Sequence, residues 1–494
     1  MSYDHLNQDL IKTGSYINGQ YLAPSNDTFD VTNPANGEVI CQLHNATAED
    51  ATAAVAAAAA AMPEWSAKTA KQRAEIMRRW FELCTEHRDE LAAILTAEQG
   101  KPLAEAAGEI AYGSSYLEWY GEQAKRVYGD TVPGASSKSR IILIKQPVGV
   151  VAAITPWNFP NAMLARKVAA AVAAGCSFVV KAAGATPLSA LALAELGAQA
   201  GIPPGIFNVL ASNRSQEVGE VLTTDPRIAK FTFTGSTEVG KKLLAQCATT
   251  VKKTSMELGG NAPFIVFDDA DIDAAVKGAM ATKYRNAGQT CICTNRILVQ
   301  RSVYAEFSDK LTAAVAQLSI GEGTQPGVNI GPLINVEARD KVSELVKAAV
   351  KAGAKISIGG TPVLESSAIS ELGDNYYPPT VLTDVTADMD VCRTEIFGPV
   401  APIMPFDTEA QAIALANDTD VGLSAYFYSR DIGRIWRVAE ALAVGMVGIN
   451  DPNISNEMAP FGGVKESGMG REGSKYGLDD YLEIKYLCMG GLDN

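Results

Sequence analysis

The apolar positions of this chain fall into three stretches of different rhythm. From about residue 47 to 128 they recur every three or four residues. "QRAEIMRRWFELCTEHRDELAAILTAE" carries such a stripe, and "ATAEDATAAVAAAAAAMPEW" opens with Thr47 ahead of Glu49 and Asp50 and continues in alanine. Both predict helices, the alanine run being a packed helix rather than a functional tract. After Gly134, two β-branched runs in "SKSRIILIKQPVGVVAAITPW", separated by Gln146 and Pro147, predict strands. Apolar β segments then recur in "SFVVKAA", "GIFNVLAS", "IAKFTFTGS" and "KTSMELGGNAPFIVFDD", with helical stretches at 161–174, 187–200, 215–222 and 238–247 between them. This alternation reads as βαβ units around a parallel sheet.

A second alternating block covers about 270 to 455, with strands expected in "RILVQ", "AKISIGG", "APIMPF", "AYFYS" and "GMVGIN" and no sequence repeat of the first. Two α/β domains are therefore expected, and 494 residues give room for two or three. "GSKYGLDDYLEIKYLCMGG" remains as an extended tail that pairs with another element or subunit.

Composition narrows the functional classes. Hydrophobic content of 47% with 20% charged residues belongs to a globular chain. A formal net charge of −14 repels phosphate backbones and acidic lipid surfaces, so neither nucleic acid nor membrane is an expected partner. "MSYDHLNQDL" lacks the features of a signal peptide and the longest apolar run, 168–180, is too short to span a bilayer, so a cytoplasmic protein is expected. Eight scattered cysteines then read as reduced thiols. Only three histidines occur, His5, His44 and His87, which leaves no metal site expected and makes a Cys/His dyad near residue 291 remote.

Several short strings carry candidate chemistry. "NAGQTCICTNR" sets Cys291 and Cys293 one residue apart. "FTFTGSTEVGKKL" is strand, Gly-Ser-Thr, helix, with Gly235 and Gly240 in a G-x-x-x-x-G spacing that suits a phosphate at a helix start or is simply a βα turn. "ITPWNFP" fixes Asn158 between prolines, as an amide donor to an oxyanion or as part of a loop anchored by Trp157. "MELGGNAP" sets Glu257 between apolar stretches, as a general base of raised pKa or as one half of an ion pair. "EIFGP" and "PFGGVKESGMGRE" read as glycine-marked loops.

In their joint order and spacing these strings resemble the NAD(P)-dependent aldehyde dehydrogenases over nearly the whole chain. The wider wording, notably "KYRNAGQTCICTNR" and "GREGSKYGLDDYLEIKYLC", is most similar to succinate-semialdehyde dehydrogenases. The resemblance implies an α/β fold of two Rossmann-type parallel-sheet domains with a small oligomerisation segment. Residues 1–129 and 147–256 would form the cofactor-binding domain, 257–470 the catalytic domain, and 130–146 with 471–494 the segment that pairs subunits into a homodimer or homotetramer.

It also implies roles. Cys291 is the nucleophile, Asn158 and the Cys291 N–H hold the oxyanion, and Glu257 activates the water that hydrolyses the thioester left after hydride transfer. Gly235 and Ser236 lie near the pyrophosphate, Trp157 and Lys181 near the adenosine ribose, and Glu395 with Phe397 at the nicotinamide ribose and ring; Thr155, Pro156 and Leu258 complete the cofactor set. Arg166 and Arg285 bind the carboxylate of an anionic semialdehyde, with Ser455 adding a hydroxyl.

The chain departs from the family pattern in two places. Where the family commonly has Lys-Pro-x-Glu it reads "KAAG", so Gly184 replaces the glutamate that would repel a 2′-phosphate, and NADP is the expected cofactor with NAD as the alternative. "INDPNISNE" differs at Asp451, Pro452 and Asn453 on the substrate mouth, which keeps glutarate semialdehyde open beside succinate semialdehyde. Cys293 is a packed small residue or, as in some related enzymes, a disulfide partner under oxidation. Release of the thioester to coenzyme A is disfavoured by the presence of Glu257. A non-catalytic scaffold is disfavoured by Cys291, Asn158, Glu257 and Glu395 occurring together.

Overall fold

Four helices stand between the first two strands of the first sheet, Tyr16–Ile17 and Gln20–Tyr21, and the rest of it. Thr47 and Thr69 start the first two with capping boxes, exchanging hydrogen bonds with Asp50 and Gln72, over Ala48–Ala67 and Ala70–Glu86. Arg88–Gln99 and Leu103–Gln123 follow. The alanine run buries Ala51, Ala54, Val55 and Ala58, and these small side chains let the helix lie against the strand Ser177–Lys181. In this computed structural model residue 3 and residues 6–23, 26–361 and 372–491 are described.

The first sheet has the order Gln20–Tyr21, Tyr16–Ile17, Phe207–Leu210, Ser177–Lys181, Val150–Ile154, Ile228–Thr234, Lys253–Glu257, Gly468–Met469. Its five central strands are parallel. In register, Ile154 lies between Lys181 and Phe233, and Thr234 faces Glu257. One edge of the sheet therefore carries the ends of all these strands, and with them Thr155 to Asn158, Lys181, Gly235, Ser236 and Leu258. Crevices at that edge are where open α/β sheets bind ligands.

The second sheet runs Lys355–Ile358, Thr380–Thr383, Val400–Phe406, Thr294–Gln300, Ala262–Val266, Ser424–Tyr428, Met446–Ile449, parallel except at its first pair. Each sheet has its own buried core, around Trp80, Phe178 and Leu191 in the first and Phe264, Leu298 and Tyr426 in the second. A third, antiparallel sheet joins Leu482–Met489 to Arg140–Pro147 and Asp130–Val132. Its last strand leaves Ile484, Tyr486 and Met489 exposed.

Three details differ from the sequence-based expectation. The sheet edges are antiparallel at Tyr16–Tyr21, Lys355–Ile358 and Gly468–Met469. Gly468–Met469, expected in the second domain, is the edge strand of the first sheet, where a Cβ on Gly468 would stand 1.8 Å from the Met256 oxygen; only glycine permits so close an approach. Within the expected 471–494 segment, Leu478, Tyr481 and Leu482 are buried in the first core, and only Leu482–Met489 forms the small sheet. Residues 492–494 lie outside the described residues. No helix among the described residues is long and apolar enough to cross a membrane.

Candidate active site

Two cavities meet at Cys291. One, of about 310 Å³, is lined by Pro156, Trp157, Gly235, Ser236, Leu258, Glu395 and Phe397 of the expected cofactor residues, together with Asn158 and Glu257. The other, of about 300 Å³, is lined by Arg166, Arg285 and Ser455, together with Tyr112, Phe159 and Phe461. Cys291 and Met163 line both. Three expected cofactor residues, Thr155, Lys181 and Gly184, are not on the wall of the first cavity but at or just past the ends of the strands Val150–Ile154 and Ser177–Lys181, along the same sheet edge.

Backbone strain shapes the segment leading to Cys291. Asn286, Ala287 and Gly288 are all left-handed, with φ of 53°, 53° and 77°, and each non-glycine residue so held costs about 1–2 kcal/mol. Neighbours pin the turn from several directions. The Asn286 N–H donates to Glu105 Oε2 (2.7 Å), and Asn286 Nδ2 donates to the Asn158 carbonyl (3.0 Å). Gln289, fully buried, donates from Nε2 to the Asn286 oxygen (3.1 Å) and accepts the Ile334 N–H on Oε1 (2.9 Å). A Cβ on Gly288 would stand 2.2 Å from the Gly398 oxygen.

Asn158 is fixed by the same network. Its Nδ2 donates to the Gln289 carbonyl (3.0 Å), its Oδ1 accepts the Phe159 N–H (3.1 Å), and its own carbonyl accepts from Lys101 Nζ (2.7 Å). Lys101 is in turn paired with Glu109 at 2.6 Å, both side chains being fully buried. One amide hydrogen of Asn158 remains for an acceptor in the cavity.

Burial pushes the Cys291 thiol up to about 12, against the pull of Arg166. Glu257, 2% exposed and with neither oxygen hydrogen-bonded among the described residues, is held well above the usual carboxylate range by burial first and then by the charge of Glu472. The sequence left Glu257 open as base or ion-pair partner; it has no ion pair within 4 Å among the described residues, whereas Glu472 pairs with both Arg166 and Lys167. Burial opposes the charge of Glu472, but the two cations outweigh it and hold its pKa below normal.

The two arginines of the second cavity differ. Arg166, 1% exposed, meets Glu472 and lies over the Phe461 ring at 4.3 Å. Its Nε faces the Glu472 carboxylate, while Nη1 and Nη2 have no hydrogen-bond partner among the described residues and stay available. Arg285 is exposed, has no carboxylate within 4 Å among the described residues, and sits 5.2 Å from the centre of the Phe159 ring. Arg285 and Ser455 also border a larger chamber of about 630 Å³, walled in part by Pro452 and Asn453.

On the cofactor side, Ser236 caps the helix Thr237–Cys247 by accepting the Val239 N–H (3.4 Å). A Cβ on Gly240 would stand 2.4 Å from Leu258 Cδ2, so the second glycine of the G-x-x-x-x-G spacing serves helix packing. Glu395, held near 7 by burial, accepts the Gly260 N–H on Oε1 (3.2 Å). The Trp157 ring meets Phe397 edge to face at 5.6 Å. The Thr234 hydroxyl is buried without a partner among the described residues, and a helix start faces the same cavity. These features fit a dinucleotide: free amide donors for a pyrophosphate, a carboxylate oxygen for a ribose, aromatic edges for a ring. At Gly184 a Cβ would stand 2.0 Å from Asn213 Oδ1, so the Asn213 amide fills the space of a side chain there. Cys293 lines neither cavity and donates its thiol to the Lys283 carbonyl (3.2 Å).

Sequence reasoning missed Lys101, Glu105, Met163, Lys167 and Glu472. Lysine at 101, between Gly100 and Pro102 at a helix start, was one available signal and Glu472, closing the quoted string "PFGGVKESGMGRE", another; Glu105, Met163 and Lys167 lie in ordinary helical wording.

A model of the aldehyde dehydrogenase family matches residues 21–487. Glutarate-semialdehyde dehydrogenase of Pseudomonas aeruginosa is 56% identical, over 98% of this chain and 99% of its own length. The NADP(+) succinate-semialdehyde dehydrogenase GabD of Escherichia coli is 55% identical, over 98% of each. Among solved structures, succinate-semialdehyde dehydrogenase from Burkholderia pseudomallei superposes with a TM-score of 0.95 at 54% identity, over 98% of this chain and 99% of its own. The chain belongs to the aldehyde dehydrogenase family and is an NAD(P)-dependent enzyme that oxidises an aldehyde to its carboxylic acid.

Proposed function

We propose that the substrate is a short ω-carboxylate aldehyde, succinate semialdehyde, oxidised to succinate with NADP. The observation that carries this reading is Arg285, a cation without a carboxylate within 4 Å among the described residues, on the wall of the cavity that holds Cys291 and Arg166. A planar guanidinium matches a carboxylate in two parallel hydrogen bonds.

In this reading Glu257 takes the proton of the Cys291 thiol, whose high pKa calls for a base of raised pKa itself. The sulfur attacks the aldehyde carbon, and the free Asn158 amide hydrogen with the Cys291 N–H stabilises the oxyanion. A nicotinamide dinucleotide supplies the hydride acceptor, held by Ser236, Glu395 and Phe397. Glu257, once it has passed the thiol proton to solvent, activates the water that cleaves the thioester. For the 2′-phosphate, Lys181 and the absence of a carboxylate at Gly184 support NADP. The exposed apolar face of Leu482–Met489 supports a homodimer or homotetramer.

A second reading, glutarate semialdehyde, is favoured by the chamber beyond Arg285 and Ser455, which gives a longer chain room. Initial rates with both semialdehydes and an uncharged aldehyde of similar length, each with NADP and NAD, test the two. The four-carbon acid with NADP should have the highest kcat/KM; equal rates with the uncharged aldehyde would remove the arginine clamp from the account.

A further inference from the structure

Glu105 stands in the first turn of the helix Leu103–Gln123, which belongs to the first domain. It nevertheless reaches the turn that leads to Cys291 in the second. The left-handed conformation at Asn286 leaves its N–H without a main-chain acceptor among the described residues, and Glu105 Oε2 accepts it at 2.7 Å. Glu105 also lines the cavity that contains Cys291, so the bond sits at the site and not behind it. A buried N–H deprived of its acceptor is costly, and a strained turn persists only while its surroundings hold it.

We propose that Glu105 is a positioning residue for Cys291. It accepts the Asn286 N–H from across the domain boundary and pins the strained turn that presents the nucleophile, through hydrogen-bond acceptance and not through charge. This rests on the reading of Cys291 as nucleophile. The nearest alternative is that the carboxylate acts electrostatically on Arg285, which lines the same wall but is not within ion-pair distance of it.

Three variants separate these roles. Glu105→Gln keeps the length and an acceptor oxygen, Glu105→Asp keeps the charge but is one methylene short, and Glu105→Ala keeps neither. Measured on the full-length enzyme are kcat and KM for one anionic and one uncharged aldehyde, and the second-order rate of Cys291 alkylation by iodoacetamide. Glu105→Asp and Glu105→Ala should lower kcat at least tenfold for both aldehydes and slow alkylation, while Glu105→Gln stays within about twofold of the parent. Wild-type kcat and alkylation in Glu105→Asp would overturn the proposal. So would a Glu105→Gln enzyme as impaired as Glu105→Asp, or one changed only in KM for the anionic aldehyde, which would assign the carboxylate to Arg285. If Glu105→Ala fails to fold, the Gln and Asp pair decides. Cys291→Ala is run in parallel: retained turnover there would sink the parent reading, whatever the Glu105 series does.

Discussion

The two cavities that meet at Cys291 leave opposite charges without an ion-pair partner among the described residues, carboxylates in one and the Arg285 guanidinium in the other. The cofactor side presents buried carboxylates, Glu257 and Glu395, both with raised pKa, among glycine-lined backbone and aromatic edges. The substrate side presents guanidinium groups over aromatic faces, while its own carboxylates Glu105 and Glu109 are engaged by the Asn286 N–H and by Lys101. A thiol on the boundary thus has a base on one flank and a cation on the other. On the proposed reading, proton traffic and substrate charge are handled by separate walls, and each can be altered alone.

Removing the shared residue tests the junction itself. Cys291→Ala should abolish oxidation with every aldehyde, a loss of at least about 10³-fold in kcat, with NADP affinity measured by fluorescence titration unchanged. Next comes the cofactor-side wall: Glu257→Gln should lower kcat by about 10²- to 10⁴-fold. As a base Glu257 works only when ionised. The parent kcat/KM should therefore rise with pH through its raised pKa, and that limb should flatten in the variant.

The substrate wall divides further. Arg285→Met should lower kcat/KM for the anionic aldehyde about 10²-fold, spare the uncharged one, and leave the melting temperature unchanged. Arg166→Met removes a partner of buried Glu472 and should cost about 3 kcal/mol of stability, read as a lower midpoint in denaturant. Equal effects of the two substitutions on stability would erase the distinction drawn between these arginines. A smaller effect belongs to Lys181, lowered to about 8 by burial. Its charged form prevails below that pH, so kcat/KM for NADP should fall as pH rises through about 8 while that for NAD does not, and Lys181→Met should remove the difference.

How much of this was legible beforehand follows from distance along the chain. Strands and helices of both sheets are written in local periodicity, and Cys291, Asn158 and Glu257 stand inside strings whose wording is itself distinctive. Glu105 and Asn286 are 181 residues apart, and Lys167 and Glu472 are 305 apart. No local pattern announces such partners, because the fold alone brings them together. Gly240 stayed open for a different reason: glycine has the same letter whether it faces a phosphate or a leucine side chain. Gly468 likewise read as a loop residue when it is the close contact that attaches an edge strand.

Arg285 stands exposed on a molecule of net charge −14, so an incoming monoanionic aldehyde meets two fields of opposite sign and different range. The repulsion is collective and long-ranged, and at physiological ionic strength it is screened beyond about 8 Å. The attraction is made at contact inside a cleft and survives that screening. Moderate salt should thus raise the capture rate of an anionic aldehyde, the reverse of ordinary electrostatic steering.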